Sequence, residues 1–524
     1  MQLCFPWRRW SSRSSGSALT KTVEDDECET IQVNQTKSDP DIREIYGFSE
    51  ATERIKKEFE LSDDDVRRIV GGFVEQMNKG LWKSGEAIEQ LPSFITQLPT
   101  GREMGTYLAV DMGGTNIRVC AVTFNGDGTY SMAQHKETIP LTLMTSQDRN
   151  ELFDWVARVV QGFVKANDLG ANTPDPGLTQ RQSKSAFSLG FTFSHAVQQT
   201  SINSGTLIRW SKGFDIDGVV GLDVCACLQD AFNKLDLHIT VTALTNDTVG
   251  TLLAQAYVAP ASTKTVLGAV FGTGTNGAYV ERTSKITKQP ALATHPEATM
   301  IVNTEWGNFD QGLKFLTMTT YDCAIDKASV NPGFEMFEKQ ISAMYLGEIL
   351  RMAILSLSQD QSLNFFAKLA IPKNSSLYVP WSLDTSILSH LESDTSPELS
   401  MSRQALGIWL GVAQVSFDIA SAIKSIAHAI VRRSARLSAV ALAAVLVQTG
   451  CLADILSSED RFCIGVDGSL IEHYPGFVVE IRKALRSIEH VGELGESRVD
   501  ITIAKDGSGV GAALAAHMAS NMGG

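Results

Sequence analysis

The amino-acid sequence predicts an α/β protein of two lobes facing a central cleft, and three features of the chain lead to that class. Its 524 residues exceed what one hydrophobic core usually supports. Two hairpins of the same design lie far apart. In the first, β-rich runs at 106–110 and 117–122 are joined by Asp111-Met112-Gly113-Gly114-Thr115-Asn116. In the second, runs at 266–271 and 278–280 are joined by Gly272-Thr273-Gly274-Thr275-Asn276. Near the end, a short run at 502–504 leads through Asp506-Gly507-Ser508-Gly509 into an alanine-rich helix from about Val510. Two glycine hairpins, each followed by more α/β sequence, imply related halves around a shared cleft.

Composition narrows the function. At 43% hydrophobic and 20% charged the chain resembles an ordinary soluble globular protein. A net charge of -14 argues against nucleic acid as a partner, because affinity there rests on cationic surface. It leaves anionic substrates open, since nests of backbone N–H groups hold phosphate on acidic proteins. The eight cysteines are scattered, and Cys225 and Cys227 have no second ligand pair nearby, which argues for free thiols rather than a zinc site. No run of 18 apolar residues occurs, so no transmembrane segment is expected. The longest apolar run, 437–447, follows Arg432, Arg433 and Arg436 and reads as a buried core helix. Arg8, Arg9 and Arg13 among serines give the N-terminus a trace of a transit peptide, but Pro6 interrupts it. Residues 1–45 are expected to form a disordered tail. A cytoplasmic location is expected, with mitochondrial or nuclear association through the tail left open.

Residues 52–81 read as helical. Ser62 ahead of Asp63-Asp64-Asp65 supplies an N-cap and first-turn acids, and Val66, Ile69, Val70, Phe73 and Met77 make an apolar face. A β-rich run at 239–244 precedes Asn246-Asp247-Thr248-Val249-Gly250, which opens a helix. Asp247 therefore lies at the C-terminal end of a strand, where α/β proteins bind ligands; capping the helix is its competing role. Glu305 sits in an apolar run, which favours burial. Glu338 shares a helical period with Met336, Ile341 and Tyr345, so a solvated helix face competes with a site role. The glycine turns are neither a P-loop nor a Rossmann fingerprint, yet their missing Cβ atoms let phosphate oxygens approach backbone N–H groups.

The motifs LAVDMGGTNIRVCAV, LGFTFSHAVQQTSINSGTLIRWSKGF, TALTNDTVGTLLAQAY, FGTGTNGAYVE, IVNTEWGNF, NPGFEMFEKQISAMYLGEILR, IGVDGSL and AKDGSGVGAAL occur in this order. Together they resemble the hexokinase family, in its fungal form, over roughly residues 50 to 520. The resemblance implies a two-lobed actin-like ATPase (ribonuclease H-like) fold. Its small lobe would comprise 105–242 and 505–524, and its large lobe 46–104 and 243–504. It also implies ATP and Mg²⁺ as cofactors and transfer of a phosphoryl group to the 6-hydroxyl of a hexose or hexosamine. Asp247 would accept the hydroxyl proton, with Lys212 beside the reacting oxygens. Ser194, Ser211, Lys212, Asn246, Asn276, Glu305 and Glu338 would hold the sugar. Asp111, Gly113, Gly114, Thr115, Asn116 and Arg118 would serve the phosphates and the water shell of Mg²⁺. Gly272, Thr273 and Gly274 would cradle the outer phosphates, and Gly468 and Ser469 would lie beside the adenosine.

One departure bears on substrate. Where the family shows Ser-Phe-Pro, this chain reads Ser194-His195-Ala196. Loss of a bulky ring and a rigid one implies a looser sugar pocket and leans the expectation towards N-acetylglucosamine. Glucose, mannose or fructose is the alternative. A sugar-sensing regulator without catalysis would show losses at Asp247, Lys212 or the glycine turns, and an actin-like or chaperone ATPase would leave residues 189–214 unexplained. Oligomeric state is left open.

Overall fold

The computed structural model describes residues 40–169, 187–210, 213–295, 297–360, 366, 368–453 and 459–522. Among them lie two large sheets of like design. The first has five strands in the order β4-β3-β2-β5-β8: β2 Met104–Met112, β3 Asn116–Asn125, β4 Tyr130–Thr138, β5 Phe187–Phe193 and β8 Ile239–Thr245. The second has six in the order β1-β11-β10-β9-β12-β13: β1 Leu91–Pro92, β9 Thr263–Phe271, β10 Thr275–Arg282, β11 Thr299–Asn303, β12 Arg461–Asp467 and β13 Val499–Ile503. In each, a glycine-turned antiparallel hairpin opens the unit (β2 with β3, β9 with β10), and its first strand then pairs in parallel with a later one (β5, β12). The two hairpins expected from sequence are thus equivalent parts of two halves. A separate ribbon, β6 Ala196–Ser201 with β7 Ser204–Arg209, stands between them.

Each half sends a helix onto the other's sheet. The helix Asp247–Val258 leaves β8 and packs on β9, β10 and β12, whereas the C-terminal helix Gly507–Met522 leaves β13 and packs on β2, β5 and β8. The two helices also pack on each other at glycines. A Cβ on Gly511 would lie 2.1 Å from the carbonyl oxygen of Gly250, and one on Gly190 of β5 would lie 1.9 Å from that of Ala512. Val249, Leu252, Leu253, Val510, Leu514, Ala109 and Ile301 form the core between the sheets. Separate cores lie outside each sheet, beneath the helices Arg149–Ala166 and Val224–Lys234 on one side. On the other they lie around the helices Asp63–Trp82 and Phe417–Thr449.

The expected helix over 52–81 is two helices, Pro40–Glu58 and Asp63–Trp82. The break has a local cause: Ser62 Oγ accepts from the Asp65 N–H (3.1 Å) while the Asp65 carboxylate accepts from the Ser62 N–H (3.1 Å), a capping box that starts a new helix. The first helix begins inside the stretch assigned to the tail, whose residues 1–39 lie outside the described residues. The C-terminal helix begins at Gly507, three residues ahead of the sequence expectation.

The apolar run 437–447 is buried within the helix Phe417–Thr449, and two of the arginines ahead of it are buried with it. Arg433 makes two hydrogen bonds to the carboxylate of Asp322 (2.5 and 2.8 Å), and Arg436 pairs with Asp63. Charges taken out of water survive only with such partners. No helix among the described residues is long and apolar enough to cross a membrane. Cys225 is buried, and burial pushes its thiol well above the ordinary value.

Gly511→Ala is expected to lower stability by about 1–3 kcal/mol, the usual cost of overpacking a dense interior. Gly71, exposed on the helix Asp63–Trp82, has nothing within 4 Å of an added Cβ. Gly71→Ala should therefore be neutral or gain up to about 1 kcal/mol from helix propensity. Denaturant melts of both variants check the contrast.

Candidate active site

The first glycine turn follows from register. Asp111 ends the tight part of β2 directly opposite Arg118 on β3, and the Gly113 N–H donates to the carbonyl of Asn116 (3.1 Å) to close the turn. Gly114 and Thr115 occupy its tip, and the Thr115 carbonyl accepts from Ile139 N–H (2.9 Å). The Asn116 side chain accepts from Thr138 Oγ1 (3.1 Å), which ties it to β4. Ser508 Oγ donates to Asp111 Oδ2 (2.6 Å), and Arg118 donates to Asp506 Oδ1 (2.6 Å). The start of the C-terminal helix is thereby fastened onto this turn.

The second turn closes through Gly272 N–H to the Gly274 carbonyl (3.0 Å), leaving Thr273 exposed. It abuts the segment after β12. A Cβ on Gly272 would lie 3.3 Å from Gly468 Cα, and one on Gly468 would lie 2.4 Å from the Phe271 carbonyl oxygen. Gly468 also has φ +118°, so glycine is demanded there twice over. Ser469 then opens the short helix Ser469–His473. Asp467 accepts from the Gly468 N–H (2.7 Å). Burial pushes its carboxyl up to about 6; Arg118 opposes the rise, and Asp247 and Asp111 add to it.

Asp247 is not the helix cap. Asn246 takes that role, its Oδ1 accepting from Thr248 N–H (2.9 Å) and Thr248 Oγ1 (2.7 Å). Asp247 opens the helix at its positive end, with Oδ1 accepting from Thr248 N–H (2.8 Å).

Facing it is a set of amides and acids on the other half. Glu305 Oε1 accepts from Asn303 Nδ2 (2.7 Å) and Asn276 Nδ2 (3.1 Å), while Asn276 Nδ2 also donates to Asn303 Oδ1 (2.8 Å). Glu305 is held at φ +56°, a strained conformation for a side chain of its kind and a common mark of functional sites. Desolvation pushes its carboxyl up to about 6; the Asn303 hydrogen bond opposes this, the charges of Glu89 and Asp247 add to it, and Arg209 opposes it.

Glu338 points into the turn, not to solvent, since its Oε2 accepts from Thr275 N–H (2.8 Å) and would meet a Cβ on Gly274 at 2.6 Å. The surface-face alternative fails because the helix is only Met336–Ile341, and Tyr345 belongs to the next one, Ala343–Gln359. Phe73 explains how both acids are held: its buried ring packs on Trp306 (6.3 Å) and Phe337 (5.3 Å), the neighbours of Glu305 and Glu338.

The third wall carries the unusual loop. Ser194 and His195 are each 6% exposed, and the Ser194 N–H donates to the Met112 carbonyl (3.3 Å), joining this loop to the first glycine turn. The imidazole of His195 is surrounded by Phe193 (4.8 Å), Trp210 (5.0 Å) and Phe214 (5.0 Å). Three aromatic rings close on the imidazole, so His195 occupies an aromatic place rather than leaving an open one, and Ala196 begins β6 opposite Arg209. Ser211 and Lys212 lie outside the described residues.

The structure thus brings Asp111, Arg118, Asp247, Gly272, Gly468, Asn276, Glu305 and Glu338 around one cleft. It adds Asp467, Asn303, Asp506 and Ser508, which the sequence reading did not single out as site residues. A signal was present for three of them: Asp-Gly-Ser occurs at 467–469 and again at 506–508, both times after a strand. Asn303 carried none.

Known proteins resemble this chain along both halves. Two models of the Hexokinase family match residues 51–257 and 266–518. A glucokinase of Aspergillus niger is 45% identical over 483 residues, covering 89% of this chain and 96% of its own. Glucokinase-1 of Saccharomyces cerevisiae is 40% identical over 497 residues, covering 90% and 97%. The solved structure of a hexokinase from Schistosoma mansoni complexed with glucose superposes with a TM-score of 0.77 at 32% identity, covering 90% of this chain and 99% of that one. With a likeness of that extent, the fold is the two-lobed actin-like ATPase fold. With family models matched in both halves and relatives alike along nearly their full length, the chain belongs to the hexokinase family.

Proposed function

We propose that the chain is an ATP-dependent hexose kinase acting on glucose, transferring the γ-phosphoryl group to the 6-hydroxyl. One observation carries this reading: Asp247 lies within electrostatic reach of both Glu305 on the amide-and-acid face and Asp467 on the glycine-turn face. A carboxylate between a hydroxyl-binding face and a phosphate-binding face is where a proton acceptor for phosphoryl transfer belongs. Glu305, Asn276, Glu338 and Asn246 offer acceptors and donors suited to neighbouring ring hydroxyls. Ser194 borders the same wall, and the resemblance assigns Ser211 and Lys212 to O6.

The N–H groups of Gly113, Gly114 and Thr115 and of Gly272, Thr273 and Gly274 suit phosphate oxygens, with Gly468 and Ser469 on the nucleoside side. Asp111 and Asp467 are hard oxygen donors of the kind Mg²⁺ takes through its water shell. Mg²⁺ bound with ATP would supply neutralising charge at the phosphates. Asp247 takes the hydroxyl's proton at its carboxylate as the O6–P bond forms and the bond from the γ-phosphorus to the β,γ-bridging oxygen breaks, ADP leaving, and lobe closure would keep water from acting as acceptor. The glucokinase and hexokinase names of the relatives support glucose over N-acetylglucosamine, and so does the filled aromatic cage around His195.

With purified protein and coupled ADP detection, glucose should give the highest kcat/KM among glucose, mannose, fructose and N-acetylglucosamine. N-acetylglucosamine turnover equal to that of glucose would overturn the substrate reading. Asp247→Asn should lower kcat by about 10²–10⁴, the range for a positioned base, while calorimetry still finds glucose binding. A variant that keeps a tenth of wild-type kcat would refute the assignment. Because Glu305 must be ionised to accept from sugar hydroxyls and its carboxyl is raised to about 6, glucose affinity should fall as pH drops through about 6. Glu305→Gln should bind more weakly and lose that pH dependence, which titration of glucose binding between pH 5 and 8 checks.

A further inference from the structure

Outside the residues assigned above, one ion pair spans the cleft. Arg209 Nη1 lies 3.4 Å from Glu89 Oε1, joining the last residue of β7 in the ribbon to the segment just before β1 in the six-stranded sheet. Both ends are anchored. On the large-sheet side, Lys288 Nζ donates to the carbonyls of Glu89 and Gln90, the latter at 2.9 Å. Gln90 sits fully buried at φ +53°, and its N–H donates to the carbonyl of Thr304 (3.2 Å), the residue before Glu305. On the ribbon side, Arg209 faces Ala196 across the β6–β7 ladder and precedes Trp210, whose ring packs on His195 and Phe214. Gln199 of β6 donates to the Leu244 carbonyl (3.0 Å), so the ribbon is also fastened to the strand leading to Asp247.

We propose that Arg209 and Glu89 form an inter-lobe latch that positions the ribbon, and with it the Ser194–His195 wall, against the Asn303–Glu305 face for sugar binding. The pair is placed for this and for little else. Its members are side chains of different lobes, each held by a backbone clamped to a sugar-side element, and the charges of both reach Glu305. Glu89 is 20% exposed and Arg209 43%, so the pair contributes modestly and is sensitive to salt. That suits a contact that must break and re-form as sugar enters and product leaves. Both are positioning residues: they act through the ribbon and through the segment bonded to Thr304. The proposal rests on the sugar-kinase reading for its kinetic arm only.

The test uses the full chain with Glu89→Gln, Arg209→Gln and the exchange Glu89→Arg with Arg209→Glu. Each single variant should raise the glucose KM roughly threefold to fivefold, the scale of a part-exposed ion pair, with kcat and the ATP KM within about twofold of wild type. The exchange should recover most of the loss. Raising salt from about 0.1 M to 1 M should bring wild type towards the single variants and leave those variants unmoved. Hydrogen exchange without substrate should quicken in the single variants at residues 196–209 and 89–92 and slow again in the exchange. That arm stands even if glucose is not the substrate. Unchanged exchange rates in the single variants, or an exchange variant no better than the worse single one, would overturn the latch. Parallel losses in kcat, ATP KM and glucose KM would likewise overturn it, by showing general disruption. If wild type turned over no hexose while the exchange arm held, the substrate reading would fail and the latch would stand.

Discussion

The crossing of the helices Asp247–Val258 and Gly507–Met522 is the contact on which the rest of the molecule depends. Each helix belongs by sequence to one half and packs on the sheet of the other, so neither half closes its core alone. The crossing is possible because Gly250, Gly507 and Gly511 let backbone meet backbone. Any Cβ at Gly511 would push the helices apart, and the two sheets with them. The same crossing delivers the chemistry. Asp247 and Ser508 sit at the two helix starts, so the closeness of the helices brings a carboxylate from one half and the Asp111-binding hydroxyl from the other to the same end of the cleft.

The cleft concentrates negative charge. Asp247 and Asp111 act on Asp467, and Glu89 and Asp247 act on Glu305, while Arg118 opposes the first pair and Arg209 the second. Such an arrangement is unfavourable on its own and shows in the raised Glu305 and Asp467 carboxyls. It is suited to a substrate that arrives with hydroxyl donors and with a cation beside its phosphates. Polar preorganisation of this kind costs stability, and the large lobe offsets it elsewhere. Phe73, Trp306, Phe309 and Phe337 pack as one aromatic group beneath the sugar-side acids, and the buried Arg433–Asp322 pair fixes the long helix against the capped start of Thr320–Ala328.

Local signals in the chain determined much of this. Glycine turns with Asp and Thr marked both hairpins, since only residues lacking Cβ fit where strand meets strand or phosphate meets backbone. Ser62 followed by Asp65 marked a helix start, because both halves of a capping box lie within four residues. The ordered motifs indicated the family, the two-lobed fold and the candidates around the cleft. Tertiary structure decided what depends on distant partners. The break after Glu58 went unread because a preceding helix shows the same apolar period as its neighbour. Glu338 was ambiguous because a three-residue offset places a side chain on a helix face without saying what that face meets; Thr275, 63 residues away, decides it. His195 suggested an open pocket when compared residue by residue, yet Trp210 and Phe214 close around it in three dimensions. Arg433 and Arg436, which precede the apolar run, are buried with it, since the acids that neutralise them, Asp322 and Asp63, come from other helices. Sequence carries the conformations set by neighbours along the chain, whereas burial, direction and charge balance are set by neighbours across it.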